Sequence, residues 1–135
     1  MTISLPTTPT IHTPISAKQP VLKVIGLGGG GQNTVDRMIE LGLSGVDFIV
    51  ANTDAQVLRK SLAPVKIQLG PILTRGLGAG GAPSIGEAAA EESLKDLNSA
   101  LAGADIVLLT AGMGGGTGTG AISVAEKKKK SVGAV

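Results

Sequence analysis

Between positions 21 and 111, short apolar runs alternate with stretches in which apolar residues recur every three or four positions. The runs VLKVIGL (21–27), DFIVAN (47–52) and ADIVLLTA (104–111) are β-branched and largely apolar, as strands buried on both faces are. ADIVLLTA is the most apolar of them and is expected at the centre of a sheet. VKIQLG (65–70) alternates apolar with polar residues and predicts a half-exposed or edge strand. After the first run, TVDRMIELGL sets Val35, Met38, Ile39 and Leu43 at helical spacing, with Gly42 placed to end the helix. TDAQVLRKSL predicts a short helix after the second run. Ser84 and Glu87 form the S-x-x-E pattern of a capping box behind Pro83. The helix they open is expected to reach about Leu101, with Ala90, Leu94, Leu97 and Leu101 on one face and Gly103 beyond its end. A last helix is expected from about Ala121.

Strands alternating with helices predict the α/β class, with a doubly wound parallel sheet covered on both faces. In such a sheet every strand-to-helix loop lies at the carboxyl edge. Three glycine-rich segments, 26–31, 76–81 and 112–120, occupy those connections and are expected to line one cleft.

Composition narrows what that cleft can take. The chain has 135 residues and 21 glycines, well above the ordinary share of about 7%. Phe48 is the only aromatic residue, which argues against a protein that stacks bases on aromatic platforms. Twelve basic and 10 acidic residues leave a net charge of +2, too balanced to point to nucleic acid or a membrane surface. There is no cysteine, so disulfides and thiolate metal sites are excluded. His12 stands in a Pro/Thr-rich stretch, where a surface imidazole is expected rather than a ligand or base. No run approaches the roughly 20 apolar residues of a membrane span. Residues 1–20, MTISLPTTPTIHTPISAKQP, lack the apolar core of a secretory signal and are expected to form a disordered tail. Residues 21–135 are expected to form one domain or part of one.

The glycine segments carry the chemistry. Gly26, Gly28 and Gly31 satisfy G-x-G-x-x-G between a buried strand and a helix. A backbone without Cβ can approach phosphate oxygens, and the free N–H groups and dipole of the helix favour an anion. The second segment, GMGGGTGTG (112–120), follows the most apolar strand directly, where a flexible linker has no place. It predicts a second anion cradle of backbone N–H groups, with the Thr117 and Thr119 hydroxyls as donors. Two cradles on one edge suit a polyphosphate. The pattern G-x-x-x-x-G-K-[ST] is absent, so backbone amides, helix dipoles and Mg²⁺ would have to offset the charge.

GMGGGTGTG resembles the glycine-rich phosphate signature of the tubulin and FtsZ superfamily. In order and spacing, KVIGLGGGGQNTVDRMIE, FIVANTDAQVL, KIQLG, LTRGLGAGGAPSIGEAAAEES and ADIVLLTAGMGGGTGTGA are similar to the FtsZ family of bacterial and plastid cell-division GTPases. The similarity runs from about Val21 to Ala121. It implies a tubulin-like fold that binds GTP or GDP with Mg²⁺ and assembles head to tail into filaments. Hydrolysis would take place at subunit junctions. Carried over by position, Gly29, Gly30, Gly31, Gln32 and Asn33 would meet the nucleotide from the first segment. Asn52, Thr53 and Asp54 match the loop beside the site, and Ala79 and Gly80 match the loop that senses the γ-phosphate. Gly116, Thr117 and Gly118 would cradle phosphates, helped by Gly114 and Gly115. The family places such proteins in the cytoplasm at the division site, or in the plastid stroma, with other division-ring proteins as possible partners.

After Gly120 the similarity decays: the family pattern AAPVIAEIAKELGAL faces AISVAEKKKKSVGAV, in which Lys127 to Lys130 put charge on every helical face. The run reads as a solvated surface rather than a lipid patch. The central helix, the second domain and the acidic loop that completes hydrolysis have no counterpart here, so no catalytic residue is assigned and no GTP turnover is expected from this polypeptide alone. The alternative is a non-catalytic chain that binds or caps filaments of full-length FtsZ-like subunits. A nicotinamide-dependent oxidoreductase, with Asp54 as ribose acid, leaves residues 112–120 unexplained.

Overall fold

Val24 and Ile25 are neighbours in sequence, yet each belongs to a different hydrophobic core. The structure, a computed structural model, describes residues 19–131, with side chains through Lys127. Its element order is β1 (Leu22–Leu27), α1 (Gly28–Glu40), β2 (Asp47–Asn52), α2 (Ala55–Arg59), β3 (Val65–Gln68), α3 (Pro71–Thr74), α4 (Pro83–Glu92), α5 (Leu94–Leu101), β4 (Ile106–Ala111) and α6 (Gly116–Ser131). The strands form one parallel sheet in the order β3-β2-β1-β4. Side chains alternate across a strand, so β1 and β2 feed both faces. Val24, Phe48 and Val50 pack with Val35 of α1 and Leu58 of α2. Ile25, Leu27, Ile49 and Ala51 pack with Ala90 of α4, Leu97 of α5 and Val124 of α6. The parallel sheet covered on both faces is the predicted α/β fold.

The edges differ from expectation on one side. β3 is an edge strand, as its alternation predicts, and carries edge protection: Pro64 precedes it, and the Lys66 ammonium donates to the Arg59 carbonyl at 2.9 Å. β4, expected at the centre, is instead the opposite edge among the described strands, and Leu108 is 54% exposed. An apolar run shows that a strand can be buried, and only pairing partners decide whether it is.

Helix boundaries show further differences. The glycine run after β1 is no loop, because α1 opens at Gly28 directly behind Leu27. Likewise α6 opens at Gly116, ahead of the expected Ala121, so GTGTG forms its first turns. The helix expected from Ser84 to Leu101 breaks at Ser93, whose backbone (φ −102°, ψ 21°) separates α4 from α5. The capping box does not form either. Pro83 takes the first helical position behind Ala82, without a side-chain cap, so Ser84 lies inside the helix. The short α3 has no apolar period to announce it and follows from Pro71 behind a left-handed Gly70. The lysine run continues α6 as helix and Lys127 is exposed, whereas the side chains of Lys128 to Lys130, most of the tail call (1–18) and residues 132–135 lie outside the described set.

Candidate functional site

Gly28 opens α1 and Gly118 lies in the first turn of α6, and a Cβ on Gly28 would stand 2.8 Å from the Gly118 nitrogen. The two helix N-termini therefore abut at the carboxyl edge of β1 and β4. The first N–H groups of any helix lack intrahelical acceptors, and its dipole puts partial positive charge there. Neither first turn contains an acidic residue. Two such termini side by side make an anion-attracting region.

Around them lies an open cleft with two adjoining hollows of about 270 and 300 Å³ that share Gly29, Gly116 and Thr117. The first hollow brings in Asn52, Thr53 and Asp54 after β2, together with Ala79 and Gly80. The second is closed by Gly30, Gly115 and Gly118. Thus the three glycine-rich segments do meet in one cleft. Gly29, Gly80 and Gly115 have no atom within 4 Å of where a Cβ would stand, so their bare backbone is open to a ligand.

Four expected residues lie elsewhere. Gly31 is buried, where a Cβ would run into the Thr110 carbonyl oxygen. Gln32 is also buried. Its Nε2 donates to the Val57 carbonyl at 2.6 Å, tying α1 to α2, and its Oε1 has no partner among the described residues. Asn33 is exposed on α1 and borders neither hollow. Gly114 shapes the turn before α6: its φ is +97° and its N–H donates to Thr119 Oγ1 at 3.1 Å. The Thr119 hydroxyl, expected as a ligand donor, accepts this bond within the turn and borders neither hollow.

Asp54 has a structural duty as well as a place in the cleft. Its Oδ1 accepts the N–H groups of Gln56 at 3.0 Å and Val57 at 3.1 Å, capping α2. Asn52 holds the same turn by accepting the Asp54 N–H on Oδ1 at 3.2 Å. Sequence reasoning assigned no role to Gly78, Gly81 or Met113, which also border the cleft. The sequence signal for the first two was the glycine density of 76–81. Met113 follows only from its place inside GMGGGTGTG. Phe48 is buried beneath α1 in the core and does not reach the cleft.

A parallel α/β sheet whose carboxyl edge joins two helix N-termini and a glycine loop is a doubly wound fold with an anion-attracting edge. The family model for the tubulin/FtsZ family GTPase domain matches residues 21–134, and the chain belongs to that family. Among solved structures it is similar to the empty FtsZ dimer from M. jannaschii, with a TM-score of 0.85 and 44% identity over 89% of this chain. A mutant of the same FtsZ matches with a TM-score of 0.84 and 46% identity over 86% of this chain. CetZ2 from Haloferax volcanii, solved as a GTPγS-bound protofilament, matches with a TM-score of 0.73 and 27% identity over 83% of this chain. This chain spans 35% of the length of each M. jannaschii chain and 36% of CetZ2.

Proposed function

We propose that this chain carries the phosphate-binding part of an FtsZ-type GTPase and binds GTP and GDP in the cleft between α1 and α6. The observation that supports this most is the contact of the two helix N-termini at Gly28 and Gly118, with open glycine backbone on either side. Gly29, Gly30, Gly115, Gly116, Thr117 and Gly118 would surround the phosphates, and Ala79 and Gly80 would face them from the loop before α4. Among the described residues no three acidic or histidine side chains cluster into a metal cage. Magnesium would therefore be held mainly by the nucleotide's own phosphate oxygens, which suits its preference for few protein ligands. Among the described residues Asp54 is the one carboxylate bordering the cleft and the candidate to join them. When bound, the ion would offset phosphate charge that no Walker lysine is present to offset. Assembly head to tail with further subunits, in the cytoplasm at a division site, extends the same reading. The dimer and protofilament named for the similar FtsZ and CetZ2 structures support it.

Equilibrium titration of the 135-residue chain with a fluorescent GTP analogue tests the proposal, with pyrophosphate and NADH as competitors. Pyrophosphate is expected to displace the analogue and NADH to leave it in place. Displacement by NADH alone, or no binding of the analogue at millimolar concentration, would overturn the reading.

A further inference from the structure

Thr53 and Thr117 are 64 positions apart, yet their hydroxyl oxygens lie 2.6 Å from each other. Thr53 follows the last residue of β2 and is 0% exposed; Thr117 is the second residue of α6 and is 8% exposed. Each hydroxyl has a single proton to donate. Among the described residues the Thr53 hydroxyl makes no hydrogen bond except the one to Thr117. A Thr53 proton turned elsewhere would be a buried donor without an acceptor, which is costly. Thr53 is therefore the donor of the pair and Thr117 the acceptor. The proton of Thr117 is left over, and Thr117 borders both hollows of the cleft.

From this geometry we infer that Thr53 is a positioning residue: it holds the Thr117 hydroxyl as a donor turned into the cleft, toward a phosphoryl oxygen. Accepting a hydrogen bond polarises the Thr117 O–H and strengthens it as a donor. Thr53 itself is held from the β2 side, since Asn52 Oδ1 accepts the Asp54 N–H at 3.2 Å and fixes the turn that follows. The Thr74 hydroxyl, which donates to the Gly70 carbonyl at 3.2 Å, also lies 3.4 Å from the Thr53 carbonyl. A donor fixed before the ligand arrives needs no reorganisation when the anion binds. The relay also joins the β2 end of the cleft to the α6 cradle, so the two sides respond to phosphate together. This inference rests on the nucleotide reading above.

The experiment compares Thr53→Val, which keeps the shape and removes the hydroxyl, with Thr53→Ser, which keeps the hydroxyl. Both are made in the 135-residue chain and titrated with GTP and with pyrophosphate, and their melting is followed without ligand. Thr53→Val is expected to weaken both ligands by up to about tenfold, because the Thr117 hydroxyl loses the neighbour that orients and polarises it. Thr53→Ser is expected to stay within about twofold of the parent, because the donor remains. Equal affinity of Thr53→Val and parent overturns the inference, as does failure of serine to restore binding. If the parent itself binds neither ligand, the nucleotide reading falls first and this inference with it. Should Thr53→Val not fold, hydroxyl-proton NMR of the parent decides. Pyrophosphate is expected to shift the Thr117 hydroxyl proton and leave that of Thr53 in place, and the reverse pattern overturns the relay.

Discussion

The side chain of Ser93 closes the corner after β3 by accepting the buried Gly70 N–H on Oγ at 3.0 Å, and it donates to the Gln68 carbonyl at 3.2 Å. A single hydroxyl thus satisfies two backbone groups that neither sheet nor helix reaches, at the position where α4 gives way to α5. Ser93→Ala would leave the Gly70 N–H buried without an acceptor. A loss of about 1–3 kcal/mol is expected in urea or thermal unfolding. A loss below about 0.5 kcal/mol would mean that water takes over the bond, which the 4% exposure of Ser93 argues against.

Glycines of the two signatures are expected to separate into two kinds. A Cβ at Gly120 would collide with the Pro83 carbonyl oxygen and stand 2.5 Å from the Glu87 nitrogen, so Gly120→Ala forces α6 away from α4. Destabilisation of about 3 kcal/mol is expected, the upper end for overpacking. Gly29→Ala has open space and a helical position, so the melting temperature should hold while GTP affinity falls by about tenfold. Unchanged GTP affinity in Gly29→Ala would remove the α1 terminus from the site.

At Asp54 the cap and the charge can be separated. Asn caps helices about as well as Asp, so Asp54→Asn is expected to keep stability within about 0.5 kcal/mol, whereas Asp54→Ala loses about 1 kcal/mol. If Asp54 also joins magnesium, Asp54→Asn reduces the gain in GTP affinity that magnesium brings, and without magnesium it binds GTP more tightly than the parent. Titrations with and without EDTA measure both. An unaltered magnesium gain would confine Asp54 to its capping role.

Binding without turnover is expected of the 135-residue chain. Among the described residues Asp54 is the one carboxylate bordering the cleft, its Oδ1 is engaged in capping α2, and no histidine or lysine borders the cleft beside it to serve as a base. Phosphate release from purified chain and GTP, followed over hours, should match a nucleotide-only control. Steady release well above that control would assign Asp54 or an unforeseen group as a base.

Much of this was legible in the chain itself, and the exceptions have physical causes. β1 and β2 could be read because both faces are buried, which demands apolar residues without interruption. The convergence of three glycine segments followed from the rule that parallel strands place their helix-entering loops at one edge. The starts of α1 and α6 were hidden because glycine has poor helix propensity, although a first turn needs few intrahelical bonds from it. The break at Ser93 is a tertiary event, since the hydroxyl turns to Gly70 and Gln68, more than 20 positions away. Gln32 resembled a ligand contact by position, but at helical spacing it faces α2, and no local pattern reports that.

The close seam between α4 and α6 also bears on portability. Gly86 packs against the Gly116 carbonyl, Gly116 against the Ala82 nitrogen and Gly120 against Pro83, so the segment 112–120 is shaped as much by the neighbouring helix as by its own residues. Grafted alone onto another α/β scaffold, GMGGGTGTG would arrive without the wall that sets its curvature. A transplant that keeps the cradle must carry residues 79–90 with it.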